Sequence, residues 1–146
     1  MRSIGIRIGI IAVIVIGAIV LRPFLSGNAG GLQVGDCFDP PTGGGTIDDV
    51  QHRPCTEPHG GEVVFVGKYE PSTDTYPTDD EFSTFYEPKC IDAFESFTGL
   101  DWDTAEEYSM DTYTPTSESW ADGSRKIICY LIAADGTQLS KSLKKQ

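Results

Sequence analysis

Residues 126–133, KIICYLIA, form the most apolar stretch in the C-terminal half of this 146-residue chain. Apolar side chains at consecutive positions predict a strand that is buried on both faces and therefore lies inside a sheet. The Asp135-Gly136 pair that follows is a two-residue hairpin signal, so residues 137–143 are predicted to return as a neighbouring strand. Residues 62–69 predict a central strand, and residues 108–114 a further one. The pattern favours a small antiparallel sheet.

A helical pattern lies between the predicted strands. One largely apolar stripe recurs at intervals of three and four and consists of Phe82, Phe85, Tyr86, Lys89, Cys90, Ala93, Phe94 and Phe97. Three acids at 79–81 fit the positive end of a helix dipole. Pro88 removes one hydrogen bond and clashes with the preceding turn, so we expect a kinked or broken helix. The predicted fold class is α+β, with this kinked helix packed on one face of the sheet.

The first 25 residues predict a membrane anchor. An unbroken apolar run, residues 8–21, lies between Arg7 and Arg22 and covers about 21 Å as a helix, or about 27 Å if it begins at Ile4. The excess of positive charge before the run places the N-terminus in the cytoplasm and the remaining chain outside. The alternative is a signal peptide that is cleaved after Ala29.

The predicted domain organisation follows from this anchor. Residues 1–25 form a single-pass transmembrane helix that partners the membrane, residues 26–31 (SGNAGG) are a flexible linker, and residues 32–146 are the extracytoplasmic domain. Residues 26–146 carry 8 basic and 22 acidic side chains, a net charge of −14. Phosphate backbones repel such a domain, which excludes nucleic acid as a partner. The length excludes multidomain enzymes.

Four cysteines in an exported domain of this size indicate two disulfides. Three connectivities are possible. We favour Cys37–Cys55, which closes the loop at 39–49 that is rich in proline and glycine, and Cys90–Cys129, which joins the helical stripe to the core strand. A zinc site would need closely paired ligands, whereas the nearest two cysteines are 18 residues apart, so no metal is predicted.

The best candidate for chemistry is His59, which lies between Glu57 and Glu62 in the sequence. A histidine flanked by carboxylates can bind a metal or act as a base. His52 is the only other histidine, and no Gly-x-Ser-x-Gly motif is present, so neither a metal site nor an esterase site is complete. We favour a structural role in which the imidazole caps the turn after Cys55.

Two further groups are weighed as binding sites. Trp102 is a candidate for stacking on glycan, whereas Trp120 is expected in the core. Acidic side chains around Trp102 could hold calcium or form a glycosidase pair, and they are Asp101, Asp103, Glu106 and Glu107. The glycine turn and closing carboxylate of a calcium loop are missing, so we interpret this group as a solvated acidic surface.

Several motifs together resemble one known family. In order along the chain they are Val34-Gly35-Asp36-Cys37-Phe38, Pro54-Cys55-Thr56-Glu57-Pro58-His59, a helix with Cys90 and Phe94, residues 115–123 (PTSESWADG), and Cys129 on a strand that ends in Asp135-Gly136. This order and spacing resemble the septum-formation domain family of actinobacterial membrane-anchored proteins, over residues 32–143. Gly60, where members usually carry an acid, and Pro88 depart from that pattern.

The resemblance implies one N-terminal anchor and an extracytoplasmic domain with two disulfides. It implies no catalytic residues, cofactor or metal. We therefore expect a non-enzymatic, membrane-tethered domain that contacts an envelope or division protein. The alternatives are a small cell-wall hydrolase, which would use Glu57, His59 or Asp101 and Asp103, and a module that binds glycan or calcium.

Overall fold

The computed structural model of the protein describes residues 26–42, 49–71 and 73–146. The predicted anchor, residues 1–25, lies outside these residues, as does part of the loop at 39–49. Within the described ranges, no helix has the length and apolar character needed to cross a membrane.

Within the described residues, six antiparallel strands form one sheet in the order β1-β3-β2-β4-β6-β5. Their bounds are β1 Ser26–Asn28, β2 Cys37–Asp39, β3 Asp49–Arg53, β4 Gly61–Lys68, β5 Tyr108–Tyr113 and β6 Lys126–Ala133. The predictions of strands at 62–69, 108–114 and 126–133 are thus confirmed. β6 lies inside the sheet between β4 and β5, as its apolar sequence requires.

Alternation along β6 divides the interior into two cores. Ile127, Cys129 and Leu131 face a long helix, and Ile128 and Tyr130 face the opposite side of the sheet. Both faces of β6 are therefore buried, which explains the continuous apolar run.

The long helix, α1, covers Asp79–Thr98 and buries part of the predicted stripe, namely Phe82, Cys90, Phe94 and Phe97. It begins with a capping box in which Thr78 and Glu81 bond each other's backbone amides. Pro88 does not break this helix, so a broken helix was the wrong expectation. Pro88 has no backbone N–H, so the carbonyl of Thr84, one turn earlier, lacks its intrahelical donor. Both residues are exposed, and water can therefore solvate this carbonyl.

A second, short helix, α2 at Ser117–Ala121, places Trp120 in the core. The indole packs edge-on against Phe82 and Tyr76, and its N–H donates to the carbonyl of Asp74 at 3.0 Å. The expectation that Trp120 is a core residue is confirmed.

Residues 26–31 are not a flexible linker, which corrects the prediction made for them. Residues 26–28 pair with β3 as an edge strand, and Ala29 and Leu32 are buried in the second core. The Lys126 ammonium donates to the carbonyls of Gly30 and Leu32 at 2.5 and 3.1 Å. Small side chains let this segment lie closely on the sheet, so its polar, glycine-rich composition did not prevent packing.

Residues 137–143 also depart from expectation. The turn at 135–136 is present, with Gly136 at a φ of +77°, but no return strand follows it. Both hydrogen-bonding edges of β6 are already paired, one with β4 and the other with β5, so no edge remains for another strand. In this segment Leu139 instead forms a single antiparallel bridge with His59, outside the strands of the sheet.

Candidate functional site

Both predicted disulfides are present. Cys37 is bonded to Cys55, and Cys90 is bonded to Cys129, with Cα–Cα distances of 5.3 and 6.0 Å. The second bridge fastens α1 to β6 inside the first core, where both cysteines are buried. All four cysteines are therefore paired, and all four serve the fold.

His59 lies inside the protein, with 0% of its surface exposed. Its Nδ1 is 2.8 Å from the carbonyl oxygen of Glu57. Glu57 ends a turn that is closed by a hydrogen bond from its amide to the carbonyl of Pro54. Its Nε2 has no partner among the described residues. A general base must reach its substrate, and this imidazole is enclosed. The geometry fits the capping role that we favoured.

Glu62 is equally buried, with 0% exposure. Both carboxylate oxygens are engaged by the C-terminal segment, which we call the tail and define as residues 140–146. The Ser142 hydroxyl donates to Oε1 at 2.5 Å, and the Leu143 amide donates to Oε2 at 2.7 Å. Glu62 thus holds the tail against the sheet.

The structure does not assemble Glu57, His59 and Glu62 into one site. Glu57 is exposed and contacts His59 through its carbonyl oxygen. Within the described ranges, the one group with metal-ligand spacing joins Glu62 to Cys37 and Cys55. Those two sulfurs form a disulfide and therefore offer no thiolate to a metal.

The acidic group around Trp102 has a local structural use. The Asp101 carboxylate accepts the Asp103 amide at 3.0 Å and caps a 3-10 turn at Trp102–Thr104. Asp103, Glu106 and Glu107 are exposed. This arrangement agrees with a solvated acidic surface.

Trp102 closes part of a groove between α1 and β5 that sequence reasoning missed. The groove has a volume of about 370 Å³, and its lining includes Tyr86, Glu87, Ile91, Trp102, Met110 and Asp111. The indole of Trp102 packs edge-on against Phe94, with 5.0 Å between ring centres. α1 and β5 meet here only because β5 pairs with the outer edge of β6. Local sequence patterns do not specify this order of strands in the sheet.

The surroundings of this groove change the pKa of Tyr86, one of the residues that line it. Burial raises the pKa of Tyr86, and the charges of Glu87, Asp111 and Asp79 raise it further, although a bond to Thr112 opposes them. The hydroxyl of Tyr86 therefore keeps its proton beyond the usual range of a tyrosine.

Comparison with known families decides the relationship. A family described as "Septum formation" matches residues 34–146, more than three quarters of the chain. The chain belongs to this septum-formation family. No curated protein and no solved structure matches it significantly. The folded unit of this septum-formation domain starts before the matched region, since β1 and the buried Ala29 and Leu32 precede residue 34.

Steric crowding explains why position 60 of this septum-formation domain is a glycine and not the acid that family members usually carry. A Cβ atom at this position would lie 2.6 Å from Cδ of Pro40, and the Gly60 amide already donates to the Asp39 carboxylate at 2.9 Å. An acidic side chain at position 60 would clash with Pro40 and would also lie beside a second carboxylate.

The second core of the domain contains a tyrosine pair that predicts sensitivity to alkali. Tyr130 is 3% exposed, stacks near Tyr113 with ring centres 4.7 Å apart, and donates to the Asp111 carboxylate at 3.0 Å. Burial, followed by the neighbouring Tyr113 and Asp111, strongly raises the pKa of Tyr130. In the unfolded chain the same group titrates near its ordinary value, about 10.

We expect stability to fall as the pH rises above about 10. There the unfolded chain releases the Tyr130 proton while the folded protein keeps it, so the unfolded state binds fewer protons and gains stability. Tyr130→Phe should reduce the slope of unfolding free energy against pH by about 1.4 kcal/mol per pH unit. Urea unfolding of both proteins between pH 8 and 11 measures this slope. Equal slopes would contradict the assignment.

Proposed function

We propose that this protein is a non-enzymatic interaction domain of the cell envelope. Residues 1–25 tether it to the membrane, and the domain contacts a division or envelope protein outside the cytoplasm during septum formation. Membership of the septum-formation family supports the link to the septum. Two disulfides support an oxidising compartment.

The observation that carries the proposal is that His59 and Glu62, two of the candidate reactive groups, are buried and hydrogen-bonded within the fold. His59 is enclosed and caps a turn, and both oxygens of Glu62 hold the tail. A hydrolase would need such groups on an open, convergent surface. The open concave surface between α1 and β5 instead offers aromatic and apolar contacts, which suit protein recognition.

The position of β1 supports an uncleaved anchor. Cleavage after Ala29 would remove β1 and one buried residue of the second core. Intact mass of protein extracted from native membranes tests this point. We expect the full-length mass with no thiol open to alkylation, whereas a mass starting at Gly30 would make the protein secreted.

The function is tested in dividing cells of the native host. We expect a C-terminal fluorescent fusion to concentrate at septa, and a photo-crosslinking residue at position 87 to trap an envelope protein. The same crosslinker at Asp92, an exposed position of α1 that does not line the groove, is the matched control. Uniform fluorescence without a specific crosslink would contradict the proposal.

The enzymatic alternative has a direct test of its own. The full chain is expected to release no fragments from purified peptidoglycan. Turnover that disappears in Glu57→Gln or His59→Ala would replace the proposed function with a hydrolase.

A further inference from the structure

We propose that the Cys37–Cys55 bridge is the site at which dithiol reductants exchange with this domain, and that the buried carboxylate of Glu62 slows the exchange. Glu62 then has a second effect besides holding the tail, because its charge disfavours the thiolate that forms when the bridge opens. The proposal concerns a bond inside the fold and is independent of the proposed function.

The two bridges differ in their access to a reductant. Cys55 is partly exposed, whereas each of the other three cysteines is at most 2% exposed. A thiolate must reach a sulfur in order to attack it, so exchange in the folded domain begins at Cys55. Both sulfurs of the Cys90–Cys129 bridge lie in the first core, where a reductant reaches them only after α1 has separated from β6.

The exchange transfers two electrons and two protons from the reductant to the bridge. A thiolate of the reductant attacks Sγ of Cys55 and forms a mixed disulfide, while Sγ of Cys37 leaves with the bonding electrons as a thiolate and takes a proton from water. The second thiolate of the reductant then displaces Cys55, which is protonated in turn, and the reductant becomes a cyclic disulfide. The rate of the first step depends on how easily the buried Cys37 sulfur carries a negative charge.

Glu62 lies where that charge develops. Cys37 and Glu62 are directly opposite each other in the pairing of β2 with β4. A carboxylate oxygen of Glu62 and both sulfurs of the bridge lie within 4.8 Å of one another. The two donors to this carboxylate, the Ser142 hydroxyl and the Leu143 amide, are neutral, and no salt bridge in the described part of the chain involves Glu62. Two negative charges at this distance, shielded from water, repel each other strongly.

The surroundings of this bridge are the reverse of those that activate a cysteine. Reactive cysteines lie beside a helix N-terminus or a basic side chain, which stabilises the thiolate. This site instead presents the carboxylate of Glu62 and the carbonyl oxygen of Gly35, which lies 3.4 Å from Sγ of Cys55. A destabilised thiolate leaves more slowly. The arrangement therefore keeps the bridge oxidised although a reductant can reach it.

The test measures how fast each bridge is reduced in the folded full chain. The chain in nonionic detergent is treated with excess dithiothreitol, samples are quenched with iodoacetamide, and peptide mass spectrometry follows the alkylation of each cysteine. In the wild type we expect Cys37 and Cys55 to be alkylated before Cys90 and Cys129. Glu62→Gln should raise the rate at the first bridge, relative to the second, about tenfold, because the repulsion is lost. Glu62→Met, which is neutral and similar in length, should give the same increase, whereas Glu62→Asp keeps the charge and should stay within about threefold of the wild type.

Glu57→Gln is the matched control. Glu57 is exposed and lies two residues from Cys55, and the substitution removes the same charge. Because water screens this carboxylate, the rate at the first bridge should change less than about twofold.

Three results would overturn the proposal. Reduction of Cys90–Cys129 before Cys37–Cys55 in the wild type would show that the second bridge is the site of exchange. An equal increase at both bridges in the neutral variants of Glu62 would show that these substitutions act through unfolding and not through charge. An effect of Glu57→Gln as large as that of Glu62→Gln would show that the acidic surface as a whole, and not the buried carboxylate, slows the reductant.

Discussion

Replacing Cys90 and Cys129 together by alanine is expected to lower the free energy of unfolding by about 4 kcal/mol. The bond between them closes a loop of 39 residues and holds α1 to β6 in the first core. In the chain-entropy model a loop of that length restricts the unfolded chain by this amount. Urea unfolding of the full chain, followed by tryptophan fluorescence, measures the loss.

The other disulfide provides the control for this prediction. Cys37–Cys55 closes only 18 residues, so the pair of alanine substitutions there should cost less, about 3 kcal/mol. A larger loss at Cys37 and Cys55 than at Cys90 and Cys129 would mean that loop length does not govern the contribution of these bonds.

A chain that ends at Lys141 should lose about 3–5 kcal/mol of stability, although it lacks only residues 142–146. Truncation removes the hydroxyl of Ser142 and the amide of Leu143, which donate to the buried carboxylate of Glu62. A buried charged group that loses its partners destabilises a fold by this amount. The truncation also removes the hydrogen bond that the Lys145 amide donates to the carbonyl of Phe97, at the end of α1.

A double-mutant cycle separates the role of Glu62 from general loss of packing. In a Glu62→Gln background no carboxylate is left behind, so the same truncation should cost at least about 1 kcal/mol less than in the wild type. Urea unfolding of the four proteins gives the coupling free energy. Strictly additive losses would show that Glu62 does not hold the tail.

The sequence predicted those elements whose signals are local. Runs of apolar, β-branched and aromatic residues located β4, β5 and β6, and three-to-four spacing located α1. The disulfides also followed from local patterns, because one bridge closes the loop at 39–49 and the other joins the inward stripe of α1 to the core strand. Pro88 left a broken helix open as one outcome, whereas α1 is continuous, because the exposure that makes Pro88 tolerable is a property of the finished fold.

The remaining features depend on contacts between distant segments. Residues 137–143 carry a hairpin signal, but β5 occupies the place that a return strand would need. Glu62 sits in a predicted strand, yet its partners lie 80 and 81 residues away in the tail. The groove likewise joins α1 to a strand that becomes its neighbour only through the order of the sheet.

The early start of the folded unit has a consequence for the volume that the domain can search. A flexible six-residue linker has a root-mean-square span of about 14 Å, which would let a tethered domain sample many heights above a membrane. Because β1 begins at Ser26, that slack is absent from residues 26–31. If residues 1–25 span the membrane as proposed, the effective concentration of the groove is high for partners beside the bilayer and low for partners deeper in the wall.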